Sequence, residues 1–363
     1  MTKETVAELE RRSFEDDDSL EVPPPDIVAY NESRSCADLY RMYKQGVLNI
    51  QPDFQREIVW KGPAQTRFLD SLIKQLPIPS MCFSMDFKAG RWLVIDGLQR
   101  MASIIRFLSG DPTWTLSRLD DIDPDLCGRP AKDFLDPSSQ LNRYFQRVEN
   151  LTLPITVLRC DYSKKQHTRY LFTIFHRLNT GAMRLNNQEI RNCIYAGPFN
   201  ELIKELNKNT DWMRLNRMKS DSGYRFTKQE LILRMFAFHD TYMTYGGRLA
   251  RFLNDYMDDN KNISDSEADI KRDLFNRTVK VVLNKVFEGV APSKTPLSIV
   301  EATLVGISRN LNNVEAMLPE EVSRRYQQLL EHNEFSENKL LEGLSGKARV
   351  IGRMDAAIGA FAG

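Results

Sequence analysis

Strand-like segments stop about halfway along this chain of 363 residues, and this change constrains the fold more than any other feature of the sequence. The last such segment is Leu151–Cys160, and beyond about Pro198 apolar residues recur only at helical spacing. We therefore predict an α+β fold class, in which a small α/β N-terminal domain at residues 31–200 precedes an α-helical domain at residues 201–363.

The start of the chain differs from the rest in charge. Residues 1–25 carry three basic and eight acidic side chains, and Pro23–Pro25 closes this segment. We predict an acidic, flexible tail over residues 1–30, with solubilisation as its simplest role. The whole chain has a net charge of +1, so a nucleic-acid partner would need a local basic patch.

Composition also limits the compartment and the class of protein. Apolar runs are shorter than the roughly 18 to 20 residues that cross a bilayer, and the acidic start contains no apolar stretch of a signal peptide. The five cysteines form no CxxC pair, which is typical of reduced thiols rather than of a disulfide framework or a zinc site. We expect a cytoplasmic protein with no membrane partner.

The most informative local pattern is a strand followed by a polar turn and a helix. Ser80–Phe87 and Arg91–Ile95 are predicted as a β-hairpin, and Asp96–Arg100 leads from its second strand into a helix that ends at Gly110. Such a turn offers backbone N–H groups and the positive end of the helix dipole to an anion. The same pattern fits a structural turn with a surface ion pair, and the residues alone leave both interpretations open.

Three residues of this turn have side-chain properties that suit a phosphate ligand. Gly97 permits a sharp bend or the close approach of a ligand. Arg100 can pair with phosphate oxygens through its guanidinium fork, and Asp96 can bind a metal ion or orient a partner.

Two further polar segments are candidates for ligand contact. In Gln51–Trp60, apolar residues can anchor a loop from which Gln55 and Arg56 project, although solvated surface charges explain these two residues as well. Asn179–Gly181 can form a backbone nest that binds an anion.

A helix start follows at Asn186. Glu189 has the spacing of a capping-box partner of Asn186, and capping is sufficient to explain it. Arg191 lies on a different face of the same first turn, and capping does not explain it.

Four motifs in a fixed order point to a family. They are Pro52–Arg56 with Trp60, then Asp70–Pro79, then Ile95–Arg100, and finally Asn179–Gly181 followed by Gln188–Asn192. In this order they resemble the GmrSD-type restriction-endonuclease N-terminal domain family, which belongs to the ParB/sulfiredoxin-like superfamily and is common in bacterial anti-phage defence. The resemblance covers roughly residues 35 to 200.

The resemblance implies a site for a nucleoside triphosphate (GTP, ATP or CTP) with magnesium, and hydrolysis of the nucleotide in some relatives. It gives the catalytic positions as Asp96, Gln99 and Arg100, with the magnesium ion at Asp96. The further nucleotide-binding positions that it implies are Gln55, Arg56, Gly97, Asn179, Gly181, Glu189 and Arg191. Many family members have glutamine where this chain has Leu98, so we expect nucleotide binding more firmly than hydrolysis.

Relatives that cut modified DNA often carry, or associate with, an HNH nuclease module, which needs clustered histidines. The four histidines of this chain are scattered, and none begins a His-x-x-Pro stretch: His167, His176, His239 and His332. We therefore expect packing or surface roles for them and no HNH nuclease in this chain.

Two functions follow as hypotheses. In the first, the N-terminal domain binds and hydrolyses the nucleotide, and the helical domain transmits its state to DNA, to a partner nuclease or to another defence protein. In the second, the chain is a non-catalytic ParB-like DNA-binding or adaptor protein that regulates a partner nuclease, and Leu98 favours this hypothesis. DNA cleavage by Asp and Glu residues without histidine is a third alternative, and a homo-oligomer is compatible with all three.

Overall fold

The computed structural model describes residues 23–50, 60–178, 186–216, 227–290, 295–336 and 344–362. These residues form two compact units, one made by the described residues up to 178 and the other by those from 186 onward. We refer to them as the N-terminal unit and the helical unit.

The N-terminal unit combines five strands with helices. In chain order they are β1 (Val28–Ser35), α1 (Cys36–Lys44), β2 (Leu48–Asn49), α2 (Gly62–Ile73), β3 (Met81–Asp86), β4 (Arg91–Asp96), α3 (Leu98–Leu108), α4 (Asn142–Asn150), β5 (Thr152–Cys160) and α5 (Lys165–Leu178). Two short 3-10 turns, Pro124–Leu126 and Ala131–Phe134, lie between α3 and α4.

The five strands form one mixed sheet in the order β1-β5-β3-β4-β2. β1 and β5 are antiparallel, β5 and β3 parallel, β3 and β4 antiparallel, and β4 and β2 parallel. Because alternate residues of a strand face opposite sides, Ile155, Val157, Phe83 and Val94 share one face of the sheet. These residues are buried in a hydrophobic core to which α1, α2, α3 and α4 also contribute.

Single residues explain where α1 begins and how the chain turns between β3 and β4. The Ser35 hydroxyl accepts a hydrogen bond from the Asp38 N–H and caps α1. Gly90, at φ +65°, lies in the short connection between β3 and β4, where a left-handed residue suits the tight turn.

Within its described residues the helical unit contains no strand. Its helices are α6 (Asn187–Ile194), α7 (Pro198–Leu206), α8 (Thr210–Leu215), α9 (Thr227–Thr241), α10 (Leu249–Asn260), α11 (Asp265–Val281), α12 (Leu297–Arg309), α13 (Leu311–Ala316), α14 (Pro319–Glu331) and α15 (Lys347–Phe361). A capping box starts α6 (Asn186 with Glu189), as the sequence predicts, and a second one starts α11 (Ser264 with Glu267). No helix of the described ranges is both long and apolar enough to cross a membrane.

The α+β fold class is confirmed, since a small mixed sheet near the N-terminus is followed in the described residues by helices alone. Two elements were missed by the sequence prediction. β1 begins at Val28, inside the stretch predicted as a flexible tail. α4 lies in Asp111–Asn150, whose many Asp, Pro and Ser residues predict little regular structure. β1 is largely exposed at the sheet edge, and α4 buries only Asn142, Tyr144 and Val148, so neither has a long apolar pattern in the sequence.

Candidate functional site

The turn between β4 and α3 requires glycine at position 97. Gly97 has φ +95°, in the left-handed region that residues with a side chain disfavour. A Cβ atom built on Gly97 would lie 2.5 Å from Met81 Cγ, closer than real Cβ atoms approach their neighbours. The missing side chain therefore allows both the sharp bend after β4 and the close packing of the turn on β3.

α3 begins at Leu98, directly after this bend, and among the described residues no side chain caps its start. The first backbone N–H groups of a helix have no partner within the helix, and the helix dipole adds partial positive charge there. The start of α3 therefore has the physical character of an anion site, although this character is shared by many helix starts.

Asp96 and Arg100 form an ion pair beside this helix start. Arg100 Nη2 donates to Asp96 Oδ2 at 2.7 Å, and Arg100 Nη1 donates to the Pro79 carbonyl. The Arg100 side chain is 15% exposed and the Asp96 side chain 47% exposed, so the pair lies at the surface of the unit. The ion pair expected of a purely structural turn is thus present. It holds the Asp96 carboxylate and the Arg100 guanidinium next to the first turn of α3.

Gln99 links the turn to the first polar motif. Its Oε1 accepts a hydrogen bond of 3.2 Å from the N–H of Trp60, the last residue of that motif. Trp60 packs edge-on against Phe68 of α2, with ring centroids 5.6 Å apart. The structure therefore brings the end of the first motif to the Asp96–Arg100 turn, whereas Leu98 packs against the hydrophobic core.

Four residues of the predicted site lie outside the residues that the structure describes: Gln55, Arg56, Asn179 and Gly181. Their part in a common site stays a prediction. Trp60 and Leu178 are the described residues that follow the first pair and precede the second pair most closely along the chain.

Glu189 and Arg191 belong to the helical unit. The Glu189 N–H donates to Asn186 Oδ1 at 2.9 Å, and the Glu189 carboxylate accepts from the Asn186 N–H, which completes the predicted capping box. The Arg191 side chain is 1% exposed, and its Nη1 donates to Glu230 Oε2 at 2.8 Å. These contacts give both side chains a structural role in the helical unit.

Arg191 is part of a buried charge network that the sequence reasoning missed. Glu230 also pairs with Arg234 at 2.6 Å, and Arg234 pairs with Glu301 at 3.2 Å. Burial alone would raise the pKa of Glu230, but the charges of Arg234 and Arg191 outweigh burial and lower this pKa to about 2. The i,i+4 spacing of Glu230 and Arg234 on α9 was a signal for part of the network, but nothing in the sequence indicates the pairing between helices.

No three or more histidine, cysteine, aspartate or glutamate side chains cluster as metal ligands within the described ranges. His167 is buried, with Nδ1 accepting from the Asp161 N–H at 3.0 Å and Nε2 lying 2.9 Å from Asp26 Oδ1. His239 Nδ1 lies 2.9 Å from Ser308 Oγ. Both histidines are therefore engaged with protein groups.

Comparison with known proteins adds one finding to this geometry. Residues 36–196 match the model of a family described as GmrSD restriction endonuclease, N-terminal domain. This range contains the Asp96–Arg100 turn as well as Glu189 and Arg191. Neither a curated protein nor a solved structure matches the chain.

Proposed function

Because residues 36–196 match the family described as GmrSD restriction endonuclease, N-terminal domain, we propose that the protein is the nucleoside-triphosphate-binding component of a bacterial anti-phage or restriction system. The family itself points to a component of such a system. We propose in addition that the protein binds a nucleotide, hydrolyses it and acts on DNA.

The geometry of the β4–α3 turn is the observation that carries the nucleotide proposal. Gly97 bends the backbone so that the uncapped start of α3 lies at the end of β4, and Arg100 belongs to the first turn of the helix, with its guanidinium at Asp96. Phosphate groups are the ligands that such strand–turn–helix junctions bind in other nucleotide-binding folds. The turn supplies both N–H donors and positive charge to a triphosphate.

The ion pair between Asp96 and Arg100 is compatible with phosphate binding. A salt bridge with an exposed partner contributes only about 0 to 1 kcal/mol, so its replacement costs little. A guanidinium carries five N–H donors, and Arg100 makes two hydrogen bonds to acceptors of the described residues. Donors remain for a phosphate oxygen even while the pair is intact.

Asp96 fits the magnesium ion that accompanies a nucleoside triphosphate. Magnesium is usually held by one or two carboxylates together with phosphate oxygens and water, so a single carboxylate at the turn is sufficient. The Asp96 carboxylate is about half exposed, and only its Oδ2 has a partner among the described residues. The bound ion would neutralise phosphate charge, with Asp96 as its protein ligand and Arg100 as a direct phosphate contact.

The remaining residues are assigned to the proposed site because they belong to motifs of the family. Gln55 and Arg56 enter as residues of the first motif, whose last residue, Trp60, donates its N–H to Gln99. Asn179 and Gly181 enter on the motif alone. Glu189 and Arg191 do so as well, and their capping and ion-pair contacts favour a structural role for both.

The proposal extends to what the nucleotide controls. We propose that the N-terminal unit belongs to the ParB/sulfiredoxin-like superfamily, as the resemblance to the matched family implies. We propose that the helical unit transmits the state of the nucleotide to DNA, to a partner nuclease or to another defence protein in the cytoplasm, with a homo-oligomer as one form of the active complex.

Calorimetric titration of the full chain with ATP, GTP and CTP, each with magnesium chloride, tests the nucleotide proposal. We expect heat from at least one triphosphate and no heat from the corresponding nucleoside, because the phosphates carry the interaction. If none of the three triphosphates binds, the nucleotide proposal is wrong and only the family assignment stands.

A second candidate is a non-catalytic binding or adaptor module, and Gln99 favours it. Its carbonyl oxygen accepts the Trp60 N–H and therefore is not available, in this arrangement, to orient an attacking water. Leu98 adds no polar group. Phosphate release with saturating nucleotide separates the candidates, since an adaptor should show no turnover above that of Arg100→Ala.

A further inference from the structure

One edge of the sheet in the N-terminal unit is formed by a long strand without the features that usually protect such edges. β1 has 8 residues and is the outermost strand, paired with β5 along its whole length. Its register is continuous, so no bulge bends it away, and its sequence contains neither proline nor lysine. Natural sheets avoid pairing with another chain by short edge strands, bulges, prolines and edge lysines. The β1 edge is therefore open to a further strand.

The two edges of the sheet differ in this respect. On the opposite side the outermost strand is β2, which has only 2 residues and is too short to receive a partner strand. In β1, alternate backbone N–H and C=O groups point away from β5. Within the described part of the chain, no hydrogen bond outside the β1–β5 ladder uses the backbone of residues 28–32. An added strand would give these backbone groups hydrogen-bond partners.

The exposed apolar side chains of β1 lie in its first half. Val28 is 49% exposed and Tyr30 is 36% exposed. In the second half, Arg34 donates to Glu32 Oε1 and to Asp38 Oδ2, and Asp38 belongs to α1. Contacts with α1 therefore occupy the end of β1, whereas the stretch around Tyr30 combines free backbone groups with exposed apolar surface.

We propose that β1 pairs antiparallel with β1 of a second copy of this chain, about a two-fold axis at Tyr30. In this register Tyr30 faces Tyr30 of the second copy, and Ala29 and Val28 face Asn31 and Glu32 of that copy. The exposed apolar residues of both copies meet at the axis, and aromatic cross-strand pairs stabilise a sheet. An axis at Glu32 would place two glutamates opposite each other, so the charges of β1 favour the axis at Tyr30.

A second copy fits this edge better than an unrelated extended segment does. The contact is isologous, so each β1 covers the other and both open edges disappear in one step. The joined sheet then ends on both sides at the short strand β2. This inference rests on the proposed function only for the homo-oligomer, to which it gives a contact surface, and the nucleotide site at the Asp96–Arg100 turn does not depend on it.

Sedimentation equilibrium of the full chain at several protein concentrations tests the pairing. The test variant is Tyr30→Lys, which places two lysines opposite each other at the axis. The matched control is Ser33→Lys, which adds the same charge at an exposed position of the same strand, beyond the paired residues 28–32. Tyr30→Phe keeps the aromatic ring and shows whether position 30 tolerates substitution.

We expect the wild type to form a reversible dimer. Tyr30→Lys should raise the dissociation constant of the dimer roughly tenfold or more, because like charges that meet across an interface repel each other. Ser33→Lys and Tyr30→Phe should both stay within about threefold of the wild type, less than the tenfold step that corresponds to 1.4 kcal/mol. Circular dichroism of the variants confirms that each is folded.

Cysteine cross-linking tests the register. Residues that face each other in an antiparallel pair have Cα atoms about 4.5 to 5.5 Å apart, which suits a disulfide. Oxidised Tyr30→Cys should therefore run as a covalent dimer on a non-reducing gel. Ser33→Cys should not, because the two copies of position 33 would lie about 20 Å apart along the paired strands.

Three results would overturn the proposal: a wild type that stays monomeric at its highest soluble concentration, equal weakening by Tyr30→Lys and Ser33→Lys, or cross-linking through position 33 but not through position 30. Titration of Tyr30→Lys with nucleotide keeps this proposal separate from the proposed function. A failed dimer contact leaves nucleotide binding intact, and a failed nucleotide site leaves the dimer intact.

Discussion

Gly97 is the residue on which the candidate turn depends most. Its positive φ angle and its contact with Met81 each disfavour a side chain, and the two effects act on the same atom. Gly90 provides the natural comparison, because it has φ +65° and nothing within 4 Å of the Cβ position. Comparing substitutions at Gly97 and Gly90 therefore separates the cost of backbone strain from the cost of the steric conflict with Met81.

We predict that Gly97→Ala lowers the free energy of unfolding by about 3 kcal/mol, from left-handed strain together with overpacking against Met81. Gly90→Ala should cost about 1 kcal/mol, from strain alone. Urea unfolding of both variants measures the difference. Equal costs for the two substitutions would show that Met81 moves aside freely.

At the scale of single residues, the sequence predicted the turn and its possible uses but not the contacts within it. Glycine at position 97 and the spacing of Asp96 and Arg100 are visible in the chain. The hydrogen bond from Trp60 to Gln99 joins residues 39 positions apart, so no local pattern indicates it. The same limit applied to Arg191, whose partner Glu230 is equally distant in sequence.

Among the elements, α9 carries two members of the buried charge network, Glu230 and Arg234. Glu230 is 20% exposed and lies between Arg191 and Arg234, which are nearly fully buried. Its pKa falls from 4.5 to about 2 on folding, so the folded state favours the ionised form. The resulting stabilisation is complete above the unfolded pKa and is lost as the pH falls from about 4.5 towards 2.

We predict that Glu230→Gln lowers the free energy of unfolding by about 3 kcal/mol near pH 7, because two buried guanidinium groups lose their shared carboxylate. The difference from the wild type should shrink as the pH falls below about 4.5. Urea unfolding between pH 3 and about 7 measures both effects.

Glu205→Gln is the matched control, since its pair with Arg272 is exposed on the same unit and should contribute at most about 1 kcal/mol. A pH-independent difference for Glu230→Gln would contradict the assigned pKa shift. A cost no larger than that of Glu205→Gln would contradict the role of the network.

Helix caps were the element-scale features that sequence reasoning predicted best. The capping box at Asn186 is confirmed, because asparagine and glutamate at this spacing determine it locally. β1 and α4 were missed, because contacts with other parts of the chain stabilise them. β1 pairs along its whole length with β5, and α4 packs on the core through three buried side chains.

We predict that Asn186→Ala lowers the free energy of unfolding by about 1 kcal/mol, since the Glu189 N–H loses its side-chain acceptor. Asn186→Ser should keep most of the stability, because serine also caps helices. Thermal unfolding of the two variants at one pH measures the effect, and identical midpoints would contradict the cap.

For the whole molecule, the change from mixed α/β patterning to helical patterning was enough to predict the order of its two parts. A sheet of five strands occupies the N-terminal unit, and helices alone form the described part of the other. Composition could not predict the buried charge network of Arg191, Glu230, Arg234 and Glu301, because a chain with 50 basic and 49 acidic residues shows no pairing until the fold is known.

A ligand that binds only the folded chain raises the free energy of unfolding. Nucleotide binding should therefore raise the unfolding midpoint of the full chain. At a nucleotide concentration 100 times the dissociation constant, with magnesium present, we predict a gain of about 2.7 kcal/mol. Thermal unfolding with and without nucleotide measures it. An unchanged midpoint at concentrations that saturate calorimetric binding would contradict specific binding to the folded state.

The central claim is that the Arg100 side chain binds the phosphate groups of a nucleotide at the β4–α3 turn. A calorimetric titration of Arg100→Ala with the triphosphate that binds the wild type tests it most directly. The control is Arg41→Ala, which removes an exposed helical arginine paired with Asp38 in the same unit. We predict at least a tenfold loss of affinity for Arg100→Ala, the equivalent of about 1.4 kcal/mol, with Arg41→Ala unchanged. Equal affinities of Arg100→Ala and the wild type would contradict the account.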